Sequence, residues 1–299
     1  MRVCLIDVDS RIPNLALMKL SAWHKAQGDR VKLGYTMYDE PDLAYASKMF
    51  DFTPEPEYMP QCDVVRGGTG YNLDARLPIP NDGDDLMPDY ALYGCDYAIG
   101  RFTRGCPNRC PWCVVPKMDG NEVREVSKLS DWWSGQSNVR VLDDNIMANE
   151  DAFLRACEQL SKAEVHVKWE ALDIRLVNER TASALASVKT DGNLHFAWDG
   201  HGQDDAVDRG IETLGRAGIK PSRMTFYVLV GFNTTMEYDL HRIKTLWEVH
   251  GAYPFVMPFD KSDRYQKDLA RWCNNRFIFK TTDWEHYDCP TNRRRKDEP

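Results

Sequence analysis

The stretch Arg104-Gly105-Cys106-Pro107-Asn108-Arg109-Cys110-Pro111-Trp112-Cys113 sets three cysteines at a C-x3-C-x2-C spacing. Three thiolates on one short loop can hold three corners of a four-iron cluster and leave the fourth iron without a protein ligand. An iron with an open position can bind a further molecule, so the spacing points to chemistry rather than to a structural staple. Zinc is the alternative. It normally takes four closed ligands, usually as two separated pairs, and no second pair stands beside this triplet. Cys95 is close in sequence, but an expected strand separates it from the loop.

Around the loop, apolar runs alternate with amphipathic stretches. Strands are expected at 97–102, 139–143, 165–170, 194–198, 225–230 and 254–258. Helices are expected at 127–134, 150–162, 179–188, 204–217 and 236–250, with Gly218 and Gly251 at the positions of helix stops. This alternation argues for parallel strands joined by right-handed crossovers. The fold class is therefore α/β. Six strands are too few for a closed eight-stranded barrel, so a partial (β/α)6 TIM-type barrel is expected, with its active face at the C-terminal ends of the strands. The cysteine loop is expected to follow the first of these strands directly, which would put it at that face.

Ahead of the barrel, residues 2–7 read as a buried strand. Residues 15–27 read as a helix (Leu15, Met18, Ala22, Trp23 and Ala26 on one face), and 30–35 and 62–66 as further strands. With the turn Gly67-Gly68-Thr69-Gly70, this makes a small Rossmann-like α/β layer. Residues 77–90 are rich in Pro, Asp and Gly and read as a linker. The expected division is 1–90 for the layer, 91–265 for the barrel and 266–299 for a C-terminal extension and polar tail. The tail carries an aromatic, strand-like piece at 277–280 and the basic run Arg293-Arg294-Arg295-Lys296, read as a solvated end.

The totals narrow the function classes. With 299 residues and 42% hydrophobic content the chain can bury a sizeable core, which argues against wholesale disorder. A formal charge of -8 lacks the basic stripe of a nucleic-acid-coating protein, so a nucleic-acid partner is not favoured. No apolar run is long enough to span a membrane, and the first residues lack a secretory pattern, so no membrane partner and a cytoplasmic location are expected. Nine cysteines are an odd count, three of them crowded together, which fits reduced thiols and a cluster better than disulfides.

The C-x3-C-x2-C loop with Trp112 before its third cysteine, set in a β/α pattern from about 97 to 258, resembles the radical S-adenosylmethionine superfamily. The resemblance implies a [4Fe-4S] cluster on Cys106, Cys110 and Cys113. It also implies that S-adenosylmethionine chelates the open iron, and that reductive cleavage yields methionine and a 5′-deoxyadenosyl radical that abstracts hydrogen from a substrate. An electron donor such as flavodoxin or ferredoxin would be a partner, and the substrate could be a small molecule, a nucleotide or a peptide. Carried over by position, Trp112 belongs to the cofactor loop. Asp144 and Asn145, after the second strand, would accept hydrogen bonds from the methionyl ammonium, and Asp143 beside them reads equally as a capping acid. Glu170 and Arg175 would reach the ribose hydroxyls and the carboxylate, or else form rim ion pairs. Asp199 would contact the cofactor, while His201 reads as an ordinary loop histidine. Val230 and Gly231 would line the adenine, with Phe259 filling core.

The N-terminal layer resembles the cobalamin-binding domains that precede many such barrels. The loop Asp7-Val8-Asp9-Ser10-Arg11-Ile12-Pro13-Asn14 has neither the cobalt-binding histidine nor the glycine of that pattern, so a degenerate domain without cobalamin is expected. Two alternatives stand beside hydrogen abstraction. One is methyl or methylthio transfer, for which Cys4, Cys62 and Cys95 raise a second-cluster option, although each also reads as an ordinary buried thiol. The other is a non-catalytic, metal-stabilised binding protein. Cys157 reads as core, and Cys273 and Cys289 are too widely spaced to claim a site.

Overall fold

The computed structural model describes residues 1–74, 78–79 and 83–289. Part of the expected linker and the basic run Arg293-Arg294-Arg295-Lys296 lie outside the described residues. The chain divides into two compact units: Met1–Glu170 with Ser187–Asp191, and Ala171–Ala186 with Gly192–Pro299.

The first unit opens with a four-stranded parallel sheet of β1 (Arg2–Asp7), β2 (Arg30–Leu33), β3 (Leu43–Ser47) and β4 (Val64–Gly67), in the order β2-β1-β3-β4. Alternate residues of β1 feed two core clusters. Val3 and Leu5 pack with Leu17, Leu20 and Tyr45, whereas Cys4 and Ile6 pack with Ala44 and Ala46. This is the period-two pattern of a strand covered on both faces. Helix α1 (Leu15–Ala26) starts where the Asn14 side chain accepts the Leu17 N–H at 3.2 Å, a standard N-cap.

A second parallel sheet, β5-β8-β9, joins β5 (Ala98–Gly100), β8 (Asn138–Val141) and β9 (His166–Trp169). Between its first two strands lies a two-stranded antiparallel ribbon of β6 (Thr103–Arg104) and β7 (Arg124–Glu125), followed by helix α3 (Glu150–Lys162) after β8. A short helix, α2 (Val115–Met118), sits inside the ribbon's loop. The expected helix at 127–134 is only a single 3-10 turn, Leu129–Asp131. There the Asp131 side chain accepts the Lys128 N–H and caps the start of the turn, which closes after three residues.

The second unit holds the parallel sheet β10-β11-β12, with β10 (Leu194–Ala197), β11 (Met224–Val230) and β12 (Tyr253–Pro258). Its helices are α4 (Glu179–Ala186), α5 (Asp204–Arg216), α6 (Met236–Lys244), α7 (Arg264–Asn274) and α8 (Arg276–Thr281). Helix α6 runs on as a π-helical stretch, Thr245–His250. The strand-like piece expected at 277–280 is helical instead. Asn275 accepts both the Phe277 and Ile278 N–H groups, and this cap nucleates α8.

Candidate functional site

The cysteine loop does not follow β5 directly, as the sequence suggested. The sheet strand ends at Gly100 because the Phe102 and Thr103 N–H groups, which would have continued a ladder, donate to Asp143 at 3.0 and 2.5 Å. The Thr103 hydroxyl donates to the same carboxylate at 2.6 Å. The chain turns into β6, and pairing of Thr103 with Glu125 and of Arg104 with Arg124 closes residues 105–123 into one loop. That loop carries all three cysteines.

Its geometry is tightly specified. Gly105 has φ +93°, and a Cβ there would lie 2.2 Å from the Glu122 carbonyl oxygen, so no other residue fits without movement. The Gly105 N–H donates to Asp144 at 2.8 Å, and the Cys106 N–H donates to the Gly120 carbonyl at 3.1 Å. Arg104 grips Asp84 through Nε and Nη2 and Asp119 through Nη1, which fastens the base of the loop to a residue of the former linker stretch. Cys106 is buried; Cys110, Trp112 and Cys113 are half-buried, and the Cys113 N–H donates to the Cys110 carbonyl.

The acids expected to meet the methionyl group lie against this loop. Asp144 holds Gly105, and the Asn145 amide nitrogen stands 3.6 Å from the Cys106 sulfur. A thiolate would accept that hydrogen bond, and hydrogen bonds to sulfur are among the levers that tune a cluster. Burial pushes the Asp144 carboxyl above its ordinary range, opposed by Arg101. Burial likewise pushes Asp143 up to about 6, opposed by its Thr103 and Phe102 donors. Asp143 therefore caps a strand end rather than a helix. Glu170, at the end of β9, is ion-paired with Arg140 Nε. Among the described residues no three His, Cys, Asp or Glu side chains converge on a single metal-ion position. What the loop offers is three thiols in one ten-residue stretch, one of them within reach of an amide donor. That donor set suits a four-iron cluster with an open corner.

In the second unit, Arg175 is committed to Asp173 through Nε at 2.7 Å and Nη2 at 2.6 Å. Asp199 follows β10; burial raises its carboxyl pKa, opposed by Arg242 and Arg175. The Val230 side chain is buried, and its carbonyl accepts the Phe259 N–H at 3.2 Å. Gly231 has φ +77°, and the space a Cβ would take is filled by the Gln266 amide 2.2 Å away, so the close neighbour there is a side chain of α7. His201 stacks on Tyr238 with centroids 4.0 Å apart, and Phe259 is exposed against Phe232 rather than core. Sequence reasoning missed Arg242. Its fully buried guanidinium donates to the Trp198 and Leu229 carbonyls and to Asp239, and Asp239 in turn accepts the Gly231 N–H. One ion pair thus organises the ends of β10 and β11. Nothing in the local pattern of α6 marks it beyond an Asp and an Arg three residues apart.

The first unit also contains a cavity of about 500 Å3. It is bounded by residues 10–16 after β1, by Ser47, Met49 and Phe50, by Gly68 and Thr69 after β4, and by Arg101, Arg104, Met118, Asp119, Arg140 and Glu170. Its rim is tied together: the Asp9 carboxylate accepts the Met49 and Phe50 N–H groups at 2.7 and 3.0 Å, and the Thr69 hydroxyl donates to the Met49 carbonyl.

Among the described residues no cysteine is joined in a disulfide. Cys4 is buried with its thiol toward the Gly34 carbonyl, and burial pushes it up to about 11. The Cys62 and Cys95 thiols face the Asp63 and Tyr97 carbonyls. Cys157 and Cys273 are buried thiols pushed up to about 12, and Cys289 donates to Asp268 at 2.8 Å. Cys4, Cys157, Cys273 and Cys289 are buried as packed thiols, whereas Cys62 and Cys95, expected to be buried, are only half-buried. No helix among the described residues is long and apolar enough to cross a membrane.

No family model matches the chain. It is 24% identical over 183 residues to the uncharacterized methyltransferase PH0819 of Pyrococcus horikoshii, which covers 58% of this chain and 37% of the relative. It is 21% identical over 148 residues to the ribosomal protein uS12 methylthiotransferase RimO of Histophilus somni, covering 49% of this chain and 29% of the relative. The chain thus spans about a third of the length of the curated relatives it matches. Among solved structures, the radical S-adenosylmethionine methyltransferase TsrM from Kitasatospora setae, with cobalamin and a [4Fe-4S] cluster bound, matches with a TM-score of 0.62. The identity is 11%, and the match covers 86% of this chain and 75% of that one. The α/β fold is therefore shared with that protein. The expectation against cobalamin finds no support in this neighbour.

Proposed function

We propose that this chain is a radical S-adenosylmethionine enzyme in which Cys106, Cys110 and Cys113 hold a [4Fe-4S] cluster. The observation that carries this reading is the closed loop 105–123, which bears all three thiols and is pinned to the end of β8 through Asp144 and Asn145. The fold shared with TsrM and the two parallel β/α sheets support a partial (β/α)6 barrel. When bound, the cluster and S-adenosylmethionine supply one-electron cleavage of a sulfonium and hence a radical able to take hydrogen from a substrate.

The chain's own residues hold and shape the site. Asp144 fixes the backbone before Cys106, and Asn145 donates toward its sulfur. Trp112, half-buried in the same loop, keeps the place beside the cofactor that the resemblance assigns to it. Glu170, Arg175, Asp199, Val230 and Gly231 remain the positions assigned to the cofactor's ribose, carboxylate and adenine. Of these, Glu170 and Arg175 would have to exchange their present partners, Arg140 and Asp173, for the cofactor. Thiols without disulfides among the described residues fit the reducing, cytoplasmic location expected from the sequence.

The test is product formation. Anaerobically reconstituted protein with S-adenosylmethionine and a strong reductant is expected to release 5′-deoxyadenosine, and Cys110→Ala is expected to release none. A cluster-loaded wild type that leaves the sulfonium intact would refute the reading.

Methyl transfer is the second reading. It is favoured by the Rossmann-like layer and by a structural neighbour that carries cobalamin. The loop after β1 offers no histidine to cobalt, so binding there would be without an imidazole from that loop. Retention of cobalamin by the purified chain, read from its visible absorption, separates the two readings.

A further inference from the structure

The cavity of the first unit has the volume of a metabolite site. Its walls are mixed. Ile12, Pro13, Leu15, Phe50, Met118 and Leu142 supply apolar surface, while the charged lining is four arginines against two acids. That excess favours an anion.

The arginines are not equivalent. Arg104 is held by Asp84 and Asp119, and Arg140 by Glu170. Arg11 is exposed at the cavity's edge. Arg101 differs from all three. Its side chain is 19% exposed, its nearest acid is Asp119 at 3.8 Å, beyond hydrogen-bond reach, and its guanidinium makes no hydrogen bond among the described residues. A largely buried guanidinium with unmade hydrogen bonds is costly unless a ligand completes them. It also stands four residues before Gly105, next to the cysteine loop.

We propose that this cavity binds the substrate and that Arg101 receives its carboxylate, the apolar walls holding the remainder of a monoanionic, apolar-bodied molecule. A carboxylate matches the planar guanidinium. Asp119 and Glu170 are taken by Arg104 and Arg140, which leaves Arg101 as the one interior guanidinium of the cavity without a hydrogen-bonded acid among the described residues, so a single negative charge balances it and the second charge of a phosphate dianion would meet no partner. The inference rests on the hydrogen-abstraction reading, in which the cavity is free for substrate.

The experiment compares acids with their neutral amides. The anaerobically cluster-loaded chain is titrated with 3-phenylpropionate and octanoate, with the corresponding amides and with phenyl phosphate, and binding is read from the thermal unfolding midpoint. The acids are expected to bind at least about tenfold more tightly than the amides. Arg101→Gln should erase that preference, and Arg101→Lys, which keeps the charge without the fork, should retain part of it. Equal response to acids and amides, a preference that survives in Arg101→Gln, or tighter binding of phenyl phosphate than of the acids would each overturn the proposal. If Arg101→Gln does not fold, an undiminished preference in Arg101→Lys overturns it and a reduced one supports it. The readout is independent of 5′-deoxyadenosine release. Acid preference without sulfonium cleavage sinks the radical reading alone, and cleavage without acid preference sinks the cavity assignment alone.

Discussion

At the scale of single residues, Gly105 is the most constrained position of the cysteine loop. Its φ of +93° and the 2.2 Å approach of a would-be Cβ to the Glu122 oxygen add a backbone penalty to a clash. Gly105→Ala is expected to cost at least about 2 kcal/mol and to reduce iron incorporation, measured by chemical denaturation and by iron per chain. Wild-type iron content in that variant would contradict the geometry. Lys19 makes a second, unrelated prediction. It is 4% exposed, and burial lowers its pKa to about 8, with Asp84 opposing and Arg101 adding to the fall. Between about pH 8 and pH 10.4 the unfolded chain binds more protons than the folded one, so stability rises with pH across that window. Below it, the buried ammonium costs up to about 3 kcal/mol. Lys19→Met is therefore expected to stabilise the protein at pH 7, with the gain vanishing by about pH 11. A pH-independent difference would refute the assignment.

At the scale of elements, the Arg242–Asp239 pair fixes the ends of β10 and β11, where the candidate residues Asp199, Val230 and Gly231 sit. Arg242→Met leaves the Trp198 and Leu229 carbonyls and the Asp239 carboxylate buried without their donor, an expected loss of about 3–5 kcal/mol. A urea midpoint unchanged from wild type would show that these strand ends are held by something else. The elements that were legible in the sequence are those with long, periodic apolar patterns, such as α3, α5 and β11. Strand β3 was not. Leu43–Ser47 is short, and its two alanines and serine break any strand pattern around Tyr45; it is a strand because it is buried and paired on both sides by β1 and β4. The strand and helix errors at 97–102 and 277–280 have a common cause. Side-chain acceptors, Asp143 and Asn275, took backbone N–H groups and redirected the chain, and neither partnership shows in a hydropathy pattern.

At the scale of the whole molecule, the three cysteines were readable because their spacing is local. The surroundings that give them a purpose are not local. Asp84 reaches Arg104 across 20 residues, Asp144 reaches Gly105 across 39, and Arg140 meets Glu170 across 30. Tertiary pairings of this kind leave no spacing to detect, and for that reason Arg101, Arg242 and the cavity were invisible to the sequence. The proposed function comes down to one claim, a cluster whose fourth iron is open to a sulfonium cofactor. The most direct measurement is electron paramagnetic resonance of the reduced, reconstituted protein before and after addition of S-adenosylmethionine. The account predicts the signal of a reduced four-iron cluster, shifted by the cofactor and absent in Cys110→Ala. A signal that S-adenosylmethionine leaves unchanged, or no four-iron signal in an iron-loaded wild type, would contradict it.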